Sequence, residues 1–137
     1  MSLLMLGSDT AIGMINNRNP QFRNSARRAL DAGNRLSISV VVLYELLFGI
    51  AKSNRKAAST IALQRFLASG IDVIPFEDSD AESAADIRAG LAAKGTPIGH
   101  YDVLIAGHAR THGAIVVTSN TREFARVPGL ALEDWSK

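Results

Sequence analysis

Leu3-Leu4-Met5-Leu6-Gly7-Ser8-Asp9-Thr10 is the stretch from which the fold of this chain is read. Its consecutive apolar residues suit a strand covered on both faces, as in a parallel sheet with helices on either side. Asp9 directly follows the run and so belongs at the strand's carboxyl end, the edge where open parallel sheets hold ligands. The pattern returns near the far end of the chain. Ala114-Ile115-Val116-Val117-Thr118 is a second apolar strand, with Gly113 before it and Ser119-Asn120 after it. If the sheet is doubly wound, Asp9 and Asn120 share one edge.

The segments between these strands alternate in type. Ala11 to Asn16 reads as a helix start, and Asn19-Pro20 opens another, with Asn as cap and Pro in the first turn. Phe22, Ala26, Ala29 and Leu30 recur at helical spacing until Gly33 closes that helix. Leu36-Ser37-Ile38-Ser39 alternates like a strand, and Ser39 is placed to cap the next helix. Val40 to Lys52 is apolar nearly all round, which predicts a buried helix interrupted by one acid, Glu45. Lys56 to Ser69 is a further helix and Ile71 to Phe76 a further strand. Asp78 to Lys94 is a long amphipathic helix whose acids, Asp78, Asp80, Glu82 and Asp86, lie toward its N-terminus on the polar side, as the helix dipole favours. After the turn Gly95-Thr96-Pro97-Ile98-Gly99, a helix runs from about His100 to His112 with Asp102 in its first turn. Thr121 to Ala125 makes one helical turn and Leu130 to Trp135 a last short strand, with Trp135 a packing or lid residue. The expectation is one α/β domain over residues 1–137, with a mainly parallel central sheet between two helical layers.

Composition narrows the functional classes. Of 137 residues, 47% are hydrophobic and 20% charged, a globular balance. No run approaches the ~20 apolar residues that span a bilayer, so no membrane association is expected. The short apolar start has no basic segment before it, so a signal peptide is not expected. Cysteine is absent, which removes disulfides and thiolate metal sites and fits a reducing cytoplasm. The net charge is only +2, but Arg supplies 11 of the 15 basic residues. Guanidinium forks grip phosphate bidentately, so the Arg23-Arg27-Arg28-Arg35 and Arg122-Arg126 groups permit nucleic acid, though a solvated helix face is the readier explanation of either group alone.

Three acids lack an easy surface explanation. Asp9 stands at a strand end. Glu45 is embedded in Val40-Val41-Val42-Leu43-Tyr44-Glu45-Leu46-Leu47-Phe48, where a carboxylate is costly unless paired or bound to metal. Asp102 begins a helix between Pro97-Ile98-Gly99 and Val103-Leu104-Ile105-Ala106, where the ionised form is favoured. Asn120 follows a strand end, and Glu123 lies about one helical turn beyond it. Oxygen ligands without Cys or paired His indicate a hard cation, Mg2+ or Mn2+. Such ions serve phosphodiester hydrolysis, where the substrate's charge repels ordinary nucleophiles. His108 and His112, four residues apart, have zinc spacing, yet no third ligand is evident in the sequence. No dinucleotide fingerprint or P-loop is present. A phospho-acceptor receiver domain gathers acids in the same way but needs a Lys after a late strand, and Lys52, Lys56, Lys94 and Lys137 are all elsewhere.

Taken in order, these segments resemble the VapC toxins of the PIN-domain family, over nearly the whole chain. The resemblance is carried by Ser8-Asp9-Thr10, Tyr44-Glu45-Leu46 with Gly49-Ile50-Ala51-Lys52, and Gly95-Thr96-Pro97-Ile98-Gly99 leading to Asp102. It continues through Ile105-Ala106-Gly107-His108-Ala109, Val117-Thr118-Ser119-Asn120-Thr121-Arg122-Glu123-Phe124, Val127-Pro128-Gly129-Leu130 and Glu133-Asp134-Trp135. It implies a three-layer α/β/α PIN-like fold and a metal-dependent endoribonuclease that acts as the toxin of a type II toxin–antitoxin pair. Asp9, Glu45 and Asp102 fall on the family's most regular acids and are the implied Mg2+ or Mn2+ ligands, with Asn120 and Glu123 assisting. Metal-activated water would attack a phosphodiester of a structured RNA, transfer RNA foremost, leaving a 5′-phosphate and a 3′-hydroxyl. Thr10 or Thr118 would position the water or a phosphate oxygen. The implied partners are a small VapB-like antitoxin, whose C-terminal tail fills the acidic pocket, and a second copy of the chain, docked through Leu43, Leu47 and Phe48. Two departures stand out at the opening: the family's Asp-Thr-Asn has Ala11 in place of Asn, and Leu6-Gly7-Ser8 is unlike the usual apolar residue directly before Asp. The Asp that many PIN domains carry after the late strand is Asn120 here. Those changes leave a rival reading, a catalytically weakened PIN-fold binding module held with its antitoxin.

Overall fold

A computed structural model describes residues 1–137. Five strands, β1 (Leu3–Leu6), β2 (Arg35–Ser39), β3 (Ile71–Ile74), β4 (Ile115–Val117) and β5 (Leu132–Glu133), form one sheet in the order β3-β2-β1-β4-β5. Every pairing is parallel, so each connection must cross a face of the sheet. The helices that do so are α1 (Ser8–Ile15), α2 (Pro20–Asp31), α3 (Val40–Ala51), α4 (Lys56–Ala68), α5 (Asp78–Ala93), α6 (His100–His112) and the single turn α7 (Thr121–Phe124). The chain winds outward from β1 through β2 to β3, then returns to the other side of β1 for β4 and β5. The direction therefore reverses between β1 and β4, and the crevice at their carboxyl ends is the switch point where such sheets hold ligands. Met5 pairs with Val116 and Leu6 with Val117, which brings the residues after β1 level with those after β4.

Most elements match the sequence reading, and the differences have physical causes. Helix α1 begins at Ser8 rather than Ala11, so Asp9 lies in a helical first turn instead of a loop. Strand β2 does not alternate between core and solvent: Leu36, Ser37, Ile38 and Ser39 are all buried, because β2 is an inner strand with helices over both faces. Its serines tolerate burial because each is hydrogen-bonded, Ser37 Oγ donating to the Leu4 carbonyl at 2.9 Å. Helix α3 is not buried all round. Val42 and Leu46 are buried and Val41, Leu43 and Ile50 pack partly against the core, while Tyr44, Leu47 and Phe48 are 53%, 49% and 55% exposed. Finally, Asp80 does not lie on the polar side of α5. It is fully buried.

Helices α5 and α6 pack against each other at unusually close range, and a glycine makes this possible. A Cβ on Gly107 would stand 2.5 Å from the Ala84 nitrogen and 2.7 Å from the Ala84 Cβ, below van der Waals contact. At the other end of α6, Gly113 adopts φ 63°, the left-handed conformation that glycine takes without strain, and ends the helix immediately before β4.

Candidate active site

The turn from β1 into α1 aims Asp9 into the switch-point crevice, and the carboxylate is held from several sides. Thr10 N–H donates to Oδ1 at 2.9 Å and Ser119 N–H to Oδ2 at 2.8 Å. The Thr118 hydroxyl reaches both oxygens at 3.2 Å and itself accepts the Asn120 N–H at 3.0 Å. These donors come from the ends of both central strands, so the β1–β4 register fixes Asp9. Gly7 leaves room for this arrangement, since a Cβ there would lie 3.1 Å from Asp9 Oδ1.

Asp102 enters from the first turn of α6 and is half-buried. Its carboxyl is pushed up to about 6, first by burial and then by the neighbouring charges of Glu123, Glu45 and Asp9. The four acids expected to act together thus feel one another across one pocket. Gly99, the residue that caps α6, keeps one side of Asp102 clear: a Cβ there would be 3.2 Å from Oδ2.

Asn120 and Glu123 are joined to this group. Asn120 Nδ2 donates to Glu123 Oε2 at 2.7 Å and stands 3.5 Å from Asp102 Oδ2. The Gly99 N–H donates to Glu123 Oε1 at 2.9 Å. The Asn120 amide, followed by the Gly99 N–H, holds the Glu123 carboxyl below its ordinary range. Glu123 is therefore an anion on the rim of the pocket, anchored to both the β4 turn and the entrance of α6. Glu45, one turn into the interior of α3, accepts a hydrogen bond from the Ser8 hydroxyl at 2.5 Å. That bond links α3 to the first turn of α1, and no spacing rule in the sequence points to Ser8.

The two supporting threonines differ. Thr118 positions Asp9 directly. Thr10 is fully buried, and its hydroxyl donates to the Val117 carbonyl at 3.0 Å, so its proton is committed to tying α1 to β4. The water- or phosphate-positioning role that the resemblance implies for Thr10 or Thr118 does not fit that geometry at Thr10. Ala11 is also fully buried. Trp135 packs in the core and donates to Glu133 Oε1 at 3.0 Å, a packing role rather than a lid.

The donor set suits a hard divalent cation. The side-chain ligands are carboxylate oxygens, and burial together with the charges of Glu123, Glu45 and Asp9 raises Asp102, a cost that a bound cation would offset. Asp9, Asp102 and Glu45 are the residues that would hold such an ion, with Glu123 and Asn120 beside them.

The PIN domain family profile matches residues 10–130. The chain is 42% identical over 136 residues to the tRNA(fMet)-specific endonuclease VapC of Shigella flexneri, covering 99% of this chain and all of that protein. This chain is a VapC-family PIN-domain ribonuclease. Ribonuclease VapC2 of Rickettsia felis is 36% identical over 135 residues, covering 98% of this chain and 99% of its own. Among solved structures, Rickettsia felis VapBC2 bound to a DNA fragment from its promoter superposes with a TM-score of 0.91 at 34% identity, covering 97% of this chain and 98% of that one. DNA-bound VapBC from Salmonella typhimurium gives 0.90 at 38% identity, covering 98% and 99%. PIN-domain nucleases of this family are in general metal-dependent, in keeping with the acidic pocket.

Proposed function

We propose that this chain is the toxin of a toxin–antitoxin pair, one PIN domain that cuts structured RNA at the Asp9–Glu45–Asp102 pocket with Mg2+ or Mn2+. The observation that carries the reading is the placement of Asp9, Asp102 and Glu123 at the switch-point crevice, tied together through Thr118, Ser119 and Asn120, with burial and the charges of Glu123, Glu45 and Asp9 raising the Asp102 carboxyl. Four carboxylates converging on one pocket are unstable as they stand and become favourable around a cation. When bound, the ion supplies Lewis acidity toward the phosphodiester and the attacking water.

The protein's own part is positional. Thr118 Oγ and the Thr10 and Ser119 N–H groups fix the Asp9 carboxylate, so little reorganisation is needed when substrate arrives. Asn120 supplies an amide where many PIN domains have a fourth acid, and it holds Glu123 ionised in compensation. Exposed arginines such as Arg122 would grip the RNA backbone, giving affinity that falls with salt. Transfer RNA is the leading substrate because two relatives of that stated specificity, from Shigella flexneri and Salmonella typhimurium, match across nearly their whole length. The chain acts in the cytoplasm, where that RNA resides. No helix is long and apolar enough to cross a membrane.

Two surfaces support partner binding. A cleft of about 400 Å³ between α1, α3 and α4 runs from Ile12 and Leu46 to Arg55 and has Glu45 in its wall. It would receive an apolar antitoxin segment whose basic end meets the acids. Leu47 and Phe48 share one face of α3 with Val40 and Tyr44, whereas Leu43 packs partly against the core, and covering the exposed half of each of the four side chains in a homodimer would contribute roughly 1 kcal/mol.

The test is incubation of the antitoxin-free chain with total cellular RNA and Mg2+ or Mn2+. Discrete fragments bearing 5′-phosphates that vanish with EDTA are expected, with transfer RNA among the substrates. RNA left intact under both ions by folded protein would overturn the nuclease reading in favour of a binding module.

A further inference from the structure

Asp80, the acid expected on a polar face, is buried against the two histidines for which the sequence offers no third ligand. The close α5–α6 approach permitted by Gly107 brings them together. His108 Nε2 is 3.6 Å from Asp80 Oδ2, and His112 Nε2 is 3.5 Å from Asp80 Oδ1. Asp80 and His108 are fully buried, and the His112 side chain is 33% exposed, so the group opens to solvent on one side only.

Two of these atoms have no partner. Asp80 Oδ1 and His108 Nε2 are buried and make no hydrogen bond, a state that costs about 1–3 kcal/mol for each group. The other Asp80 oxygen and the other His108 nitrogen have partners. Asp80 Oδ2 accepts the Glu77 N–H at 2.8 Å, and His108 Nδ1 lies 2.9 Å from Ser39 Oγ, which also accepts the Val41 N–H. In the tautomer whose Nδ1–H donates to Ser39 Oγ, His108 Nε2 carries a lone pair that faces the Asp80 carboxylate. This is how a protein sets the tautomer of a ligating histidine.

A proton between the groups does not fit the distances, because N–H···O bonds span about 2.7–3.2 Å. A metal ion does. Ligand atoms each ~2.0–2.1 Å from a tetrahedral centre stand about 3.4 Å apart, and one ligand atom from each of Asp80, His108 and His112 already lies within 4.8 Å of the other two, so a small inward movement brings them to that spacing.

We propose that Asp80, His108 and His112 form a second metal site, separate from the acidic pocket, that takes Zn2+ and clamps the C-terminal half of α6 to the start of α5. Two imidazole nitrogens and one carboxylate select a borderline ion such as Zn2+ over Mg2+. Solvent beside His112 supplies the fourth position. The pair Phe76 and His108, edge to face at 5.3 Å between ring centres, keeps the inner side dry.

The test is a Co2+ titration of the metal-stripped full-length chain, followed by Zn2+ displacement. An Asp102→Asn background removes a carboxylate from the acidic pocket. About one Co2+ is expected to bind with the intense visible absorption of four-coordinate nitrogen ligation, to yield to Zn2+, and to raise Tm. His112→Ala, a change at the surface that spares the core, weakens binding by about tenfold or more and abolishes that absorption. Absence of four-coordinate Co2+, or binding unaltered by His112→Ala in a folded protein, would overturn the site and leave the cluster as a buried polar contact.

Discussion

Helix α6 carries a carboxylate-containing cluster at each end, and the two are built differently. At its N-terminus, Asp102 faces three other acids in an open crevice, with hydroxyl and amide donors fixing the carboxylates from behind. At its C-terminal half, His108 and His112 face a single acid in a nearly closed space, where two polar atoms have no donor or acceptor at all. The first has excess negative charge and room for substrate, which suits a hard ion that must also touch a phosphate. The second has mixed nitrogen and oxygen ligands and no room for an RNA substrate, which suits a borderline ion that holds two helices together. Location alone would not separate them; ligand chemistry and openness do.

The largest effect expected from breaking this contrast is on cleavage. Asp102→Asn should lower the RNA cleavage rate roughly a thousandfold, the several kcal/mol of charge stabilisation that a catalytic ion provides, measured under single-turnover conditions. Thr118→Val removes the hydroxyl that orients Asp9 and accepts the Asn120 N–H, so Mn2+ affinity by calorimetry should fall about 10–100-fold while the acids remain in place. At the other end of the helix, Gly107→Ala forces α5 and α6 apart. A loss of about 1–3 kcal/mol in denaturant unfolding is expected, with the cleavage sites unchanged.

The smallest predicted effect is a pH dependence. The folded-state carboxyl of Asp102 lies near 6 against an ordinary 3.8, so the folded protein binds more protons than the unfolded chain between those values. Metal-free stability should therefore fall as pH rises through that window, by about 1 kcal/mol after allowance for solvent screening of a half-exposed group. Asp102→Asn removes the penalty. Its metal-free Tm should exceed the wild-type value by about 3 °C at pH 7.5 and converge with it near pH 4.

The active end of α6 is far more legible in the sequence than the other. Strand ends announce Asp9 and Asn120 because an apolar run followed by a polar residue is a local signal, and parallel topology carries both to one edge. Glu45 and Asp102 stand out as carboxylates in apolar surroundings. Ser8 and the backbone donors of Ser119 and Gly99 are hidden, because their roles depend on which strands pair. Asp80 misleads for a related reason. At a helix N-terminus an acid has a sufficient local explanation in the helix dipole, and only the Gly107–Ala84 contact reveals that this one points inward. Helix α3 misleads in the opposite direction: its apolar surface predicts burial, but a third layer has no room for every face, and the excess remains for a partner.

The most direct test of the account is RNA cleavage against Mn2+ concentration for three proteins side by side: the wild type, Asp102→Asn and His112→Ala. The account predicts that Asp102→Asn lowers cleavage roughly a thousandfold at every concentration, while His112→Ala follows the wild-type curve within about twofold. Cleavage that survives Asp102→Asn but disappears in a folded His112→Ala protein would contradict it, because the ion that cuts RNA would then sit at the wrong end of α6.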